Sequence, residues 1–108
     1  MTKQADSSTF RRSARVHVSV PIKLSGKLPG GKPFSEETTI VSISKYGAKV
    51  RTDLPLKIGM QLKVQPKRRR ESAPFRVVWI GREGTPREGE VGIEYVKVSN
   101  LLGVAFPD

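Results

Sequence analysis

The chain has 108 residues and carries twenty Lys and Arg against ten Asp and Glu, a formal net charge of +10. This length buries one modest core in one domain. With no cysteine and a single histidine, His17, disulfide frameworks, thiolate metal sites, Cys nucleophiles and multi-His centres are excluded.

Met1–Phe10 lacks the apolar segment of a secretory signal. Residues 1–9 are small and polar and are predicted to be disordered, and Phe10–Arg15 forms a basic, flexible arm. A strict alternation follows, with Val16, Val18, Val20, Ile22 and Leu24 on one face and His17, Ser19, Pro21, Lys23 and Ser25 on the other. That period of two predicts a half-buried strand, and Pro21 on its outward set predicts an edge position or a bulge. Leu28–Pro33 is a turn rich in Gly and Pro. A second strand is predicted over about 35–43, a tight turn over Ser44–Gly47, and a third strand from Ala48 to Thr52. Leu54–Gly59 is a connection, and Met60, Leu62 and Val64 mark a fourth strand. Pro66–Pro74 is a loop carrying Lys67-Arg68-Arg69-Arg70. Phe75–Gly81 reads as a fifth strand, apolar on both faces at Val77–Ile80 and therefore central, with Phe75, Trp79 and Tyr95 in the core. A hairpin loop over 84–89 leads to a sixth strand, Glu90–Val96. The tail, 99–108, is predicted to hold a short helical turn near Leu101 and Leu102.

Val and Ile number eighteen against seven Leu and five Ala, a balance that suits a pleated surface. No segment keeps an apolar period of 3.6. Six short strands with turn signals between them predict an all-β fold, a six-stranded antiparallel β-barrel whose closure removes exposed edges.

Catalytic patterns are weak. Glu36 and Glu37 are adjacent and point to opposite faces, His17 reads as a solvated surface residue, and no nucleophile elbow or phosphate loop occurs. A binding module is expected rather than an enzyme. The positive charge calls for an anionic partner. It is concentrated in an N-terminal basic stretch and in the Lys67–Arg70 loop, which reads as a solvated, self-repelling segment.

Two groups carry more information. Arg11 and Arg15 stand four residues apart on the arm before the first strand. Guanidinium is planar, always charged and forked, so it grips guanine edges or phosphates. Ser42, Ser44 and Gly47 stand at a strand–turn–strand junction, where hydroxyls can donate and accept and Gly47 is free to take a positive φ.

Taken together and in this order, the groups resemble the PilZ domain family over about residues 10–98. Arg11 and Arg15 match its RxxxR motif; Ser44 and Gly47 match its [D/N]xSxxG motif. Leu56–Gly59, Val77-Val78-Trp79 and Val91–Tyr95 fit as well. The resemblance implies a six-stranded barrel and a bacterial receptor for cyclic di-GMP, with no other cofactor. By that likeness Arg11 and Arg15 grip guanine and phosphate with Arg12 as a helper, Ser44 donates near the ligand, and Gly47 lets the backbone turn closely. The sequence departs from the motif at its first position, where Ser42 replaces Asp or Asn. A hydroxyl accepts from guanine N1 and N2 with less reach and no charge assistance.

The leading expectation is a cytoplasmic cyclic di-GMP sensor that orders its arginine arm over the ligand and signals to a protein partner. The alternatives are a degenerate adaptor of the same family that no longer binds the nucleotide, and a basic nucleic-acid-binding barrel. Aromatics are only 6% of the chain, too few for a base-stacking surface, which argues against nucleic acid.

Overall fold

A computed structural model describes residues 15–97. Arg11, Arg12, the 1–9 segment and the predicted helical turn of the tail lie outside the described residues. Six strands follow one another: β1 (Val16–Lys27), β2 (Pro33–Ile43), β3 (Gly47–Arg51), β4 (Gln61–Pro66), β5 (Ala73–Ile80) and β6 (Glu90–Tyr95). They close into an antiparallel barrel in the order β1-β2-β3-β6-β5-β4, with β4 returning to β1. The six-stranded all-β barrel read from the alternation is therefore the fold. The strands run somewhat longer than their apolar stretches, since β1 continues to Lys27 and β4 to Pro66.

The core follows from the pleat. Each strand sends two side chains fully inward: Ile22 and Leu24, Ile40 and Ile43, Ala48 and Val50, Leu62 and Val64, Phe75 and Val77, Val91 and Ile93. Leu56, from the β3–β4 connection, joins this cluster. The Phe75 and Tyr95 rings meet with centroids 4.3 Å apart and planes tilted by 34°. Phe75 has no exposed surface, so Phe75→Ala is expected to cost about 3–5 kcal/mol of unfolding free energy. Urea denaturation monitored by circular dichroism checks this.

Three irregularities shape the outer face. In the β1–β2 ladder the register shifts between His17 and Val20. This is the bulge foreshadowed by Pro21, but Pro21 is not on a sheet edge. It pairs with Thr39 of β2, and its carbonyl accepts from the Lys67 N–H at 3.1 Å. Its missing donor thus faces the end of β4, just before the β1–β4 ladder begins at Ile22. A second shift falls between Ile40 and Ser42 in the β2–β3 ladder.

The third falls between Val77 and Trp79 in the β5–β6 ladder, and it corrects the reading of β5. Val77 is fully buried, whereas Val78, Trp79 and Ile80 are 38%, 38% and 36% exposed. The extra residue reverses the facing of everything after it. Trp79 is therefore a surface residue, not a core one.

The Lys67–Arg70 loop is ordered by its own polar contacts. The Gln65 side-chain amide donates to the Arg69 carbonyl at 3.0 Å and reaches the Arg70 carbonyl at 3.5 Å. Lys67 Nζ meets Glu37 at 2.7 Å. That hydrogen bond and the lysine charge hold the Glu37 carboxyl below its ordinary range.

Candidate functional site

Register places five residues in one row across the outside of the barrel. His17 on β1 pairs with Ser42 on β2, Ser42 with Lys49 on β3, Lys49 with Gly92 on β6, and Gly92 with Trp79 on β5. Residues in register share a face, so five strands from distant parts of the chain build one surface. The next row is set by Gly47, which pairs with Glu94 of β6.

Gly47 is where β3 presses against β6. A Cβ at this position would collide with the Ile93 carbonyl oxygen and lie 2.8 Å from Glu94 Cα. The glycine is thus required, but not for the reason its place in a turn suggests. Its φ is not positive; among the described residues that conformation belongs to Gly30, Gly31, Gly59, Gly84 and Gly89. Close backbone approach is what excludes a side chain here. Gly92 has a milder need for the same property, because a Cβ there would come 3.2 Å from Trp79 Cβ.

The turn before Gly47 is closed twice. The Ser44 N–H donates to the Gly47 carbonyl at 2.8 Å, and Ser44 Oγ reaches the same oxygen at 3.5 Å. Ser42 is 3% exposed, and Arg15 Nη1 approaches its Oγ at 3.5 Å. The hydroxyl therefore lies beneath the arginine that precedes β1.

Between these elements lies an open pocket of about 490 Å³. Arg15 and Ser44 stand on its wall with Gly47, Ala48 and Lys49 of β3. β5 contributes Val78 and Trp79, the β5–β6 loop Arg87, and β6 Gly92, Ile93 and Glu94. Three cations and one carboxylate thus face the pocket among the described residues, a surplus that favours a doubly charged anion. Lys49 Nζ lies 5.2 Å from the Trp79 ring centroid, within cation–π range. Glu90, outside the pocket, gathers cations at its rim. Its Oε1 is 3.5 Å from both Lys49 Nζ and Arg87 Nη1, and its Oε2 is 3.7 Å from Arg51 Nη2.

Of the residues singled out by motif, Arg15, Ser44 and Gly47 meet at this pocket. Ser42 lies beside it, bound to Arg15 rather than on its wall. His17 is exposed, as its place on a polar face predicts. The residues that reading missed are Lys49, Trp79, Arg87, Gly92 and Glu94. Gly92 carried a usable signal, since a glycine inside an apolar strand marks close approach. Lys49, Arg87 and Glu94 carried none, being ordinary charges among many. The Lys67–Arg70 loop contributes nothing to this pocket. Among the described residues no group of three or more His, Asp or Glu side chains is placed to hold a metal ion.

The PilZ domain family model matches residues 9–102. The chain belongs to the PilZ domain family. Among solved structures it is similar to the Bacillus subtilis inhibitor of motility, MotI/DgrA, with a TM-score of 0.64 at 15% sequence identity. That similarity covers 82% of this chain and 44% of MotI/DgrA, so the chain spans less than half the length of that protein and shares its fold. No curated protein matches the sequence. Membership of this family accounts for the barrel and for the meeting of Arg15 with Ser44 and Gly47 on its outer surface.

Proposed function

We propose that this PilZ domain is a cytoplasmic, non-catalytic receptor for cyclic di-GMP that passes the signal to a protein partner. The observation that carries the reading is the convergence of Arg15, Ser44 and Gly47 with Trp79 around one cationic pocket. Those residues are up to 64 positions apart in the chain. Cyclic di-GMP carries two phosphate charges and two purines, and the pocket offers cations for the former and an aromatic platform for the latter. Arg15, with Arg11 on the same arm, grips guanine and phosphate through the guanidinium fork. Arg12 assists. Ser44 supplies a hydroxyl near the ligand, and Gly47 and Gly92 leave the floor bare so that a planar base can approach. Ser42 acts through Arg15, fixing where its guanidinium starts.

Ligand is expected to order the Arg11–Arg15 arm against the barrel and so create a new surface for the partner. An inhibitor of motility shares the fold, which supports an output through another protein. No helix among the described residues is long and apolar enough to cross a membrane.

Calorimetry with cyclic di-GMP, and GTP as control, tests the reading. Saturable binding of cyclic di-GMP alone is expected, and no heat at high micromolar ligand overturns it. The second reading, an adaptor that binds its partner without nucleotide, is favoured by one observation: Ser42 stands where the family carries Asp or Asn. Partner capture that is unchanged by ligand selects that reading. Ser42→Asp is expected to tighten binding about tenfold, because a carboxylate gives Arg15 a charge-assisted partner and pre-orders the arm. Isothermal titration of the variant beside the wild type checks this, and unchanged affinity removes Ser42 from the site.

A further inference from the structure

Cyclic di-GMP differs from cyclic di-AMP in its base edges, and a receptor must read that difference somewhere. On its Watson–Crick edge guanine presents two neighbouring donors, N1–H and the 2-amino group. Adenine presents an acceptor at N1 beside its 6-amino group. An ionised carboxylate only accepts, so it matches the guanine edge and repels adenine N1. The family motif places Asp or Asn at the position held here by Ser42. That hydroxyl is 3% exposed, lies under Arg15 and is absent from the pocket wall.

We infer that Glu94 reads guanine in this pocket, supplying from β6 the acceptor that Ser42 does not provide from β2. The inference rests on the cyclic di-GMP reading above. Glu94 is the one carboxylate lining the pocket among the described residues. The other side-chain acceptor there, the Ser44 hydroxyl, is turned toward the Gly47 carbonyl. The remaining polar side chains on the wall are cations, or the indole N–H of Trp79, which only donates. Cations can reach phosphate or guanine O6 and N7, but they cannot accept from the N1–H and 2-amino donors.

Placement fits the task. Glu94 stands directly across from Gly47 in the β3–β6 ladder, and Gly92 precedes it on the same face of β6. The two glycines form a floor without side chains, with Trp79 across from Gly92 at its far side and the carboxylate at its near rim. A purine laid on this floor against Trp79 turns an edge toward Glu94. A carboxylate has about four lone-pair sites, so one that already holds a partner keeps acceptors for the base.

Trp79 is the single tryptophan of the chain, so its fluorescence reports occupancy of this pocket. The experiment titrates the full chain with cyclic di-GMP, with cyclic di-IMP, whose bases lack the 2-amino group, and with cyclic di-AMP. Wild type is expected to bind cyclic di-GMP about tenfold tighter than cyclic di-IMP, and about a hundredfold tighter than cyclic di-AMP. Glu94→Gln keeps one acceptor, the amide oxygen, and sets its NH2 donor against the second guanine donor. It is expected to weaken cyclic di-GMP binding by about tenfold and to tighten cyclic di-AMP binding by about threefold or more, because the amide NH2 donates to the adenine N1 that a carboxylate repels. A Glu94→Gln protein that keeps the wild-type preference for guanine overturns the inference and leaves the receptor reading standing. Absence of cyclic di-GMP binding by the wild type overturns both. Thermal melting verifies that the variant is folded. If it is not, the wild-type series decides alone, since equal binding of the guanine and inosine ligands excludes a carboxylate contact to the 2-amino group.

Discussion

Arg15→Ala is expected to weaken cyclic di-GMP binding by about a hundredfold or more while leaving the barrel intact. The arginine stands at the mouth of β1, exposed, with one long approach to Ser42 Oγ at 3.5 Å. It contributes nothing to the core, so its removal is expected to shift unfolding free energy by no more than about 0.5 kcal/mol. The binding loss is large for a different reason. A guanidinium makes two parallel charge-assisted hydrogen bonds to a guanine edge or a phosphate, each worth about 1.5–3 kcal/mol. Arg15→Lys separates charge from geometry, because it keeps the cation and loses the fork. Its affinity is expected to fall between wild type and Arg15→Ala. Titration calorimetry with matched thermal melts checks both variants. Wild-type affinity in Arg15→Ala places the ligand elsewhere on the barrel.

Gly47→Ala is expected to damage the fold before it damages the site. The added methyl meets the Ile93 carbonyl and Glu94 Cα, both backbone, and neither moves without opening the β3–β6 seam. That seam is a wall of the barrel: Gly47 to Arg51 pairs residue by residue with Glu94 to Glu90. Overpacking of this kind costs about 3 kcal/mol, a large share of the roughly 5–15 kcal/mol that holds a small domain together. Chemical denaturation measures the loss. Gly92→Ala is the informative comparison, since its methyl meets the movable Trp79 side chain. It is expected to cost much less stability and to perturb the tryptophan fluorescence instead. Equal stability of Gly47→Ala and wild type removes close approach as the reason for this glycine.

Much of the site was legible because its motif residues are chemically distinctive. Arg15, Ser44 and Gly47 were picked out by residue type and spacing and they do meet. The roles were less legible. A glycine after a turn suggests positive φ, yet Gly47 is needed for contact with a strand more than forty residues away. Ser42 read as a ligand residue; the structure buries it off the pocket wall with its hydroxyl 3.5 Å from Arg15 Nη1. Trp79 read as core because an apolar run on both faces does not reveal a bulge. One inserted residue after Val77 turned the ring outward and made it a wall of the pocket. Lys49, Arg87 and Glu94 looked like solvated charge because nothing local distinguishes a charge facing a pocket from one facing bulk water.

Period-two patterning is a local property, so the sequence by itself determined the strands, the inward side chains of most of them and the all-β class. Composition likewise determined the cationic character and removed thiol and multi-His chemistry. Which strands become neighbours depends on long-range pairing that no local pattern encodes. The closed order β1-β2-β3-β6-β5-β4 sets β3 beside β6, and three register shifts then decide which outward side chains meet. The tertiary structure alone therefore decided that Arg15, Lys49, Trp79 and Glu94 share one pocket. A strand's alternation specifies its faces; only barrel closure specifies what stands across from them.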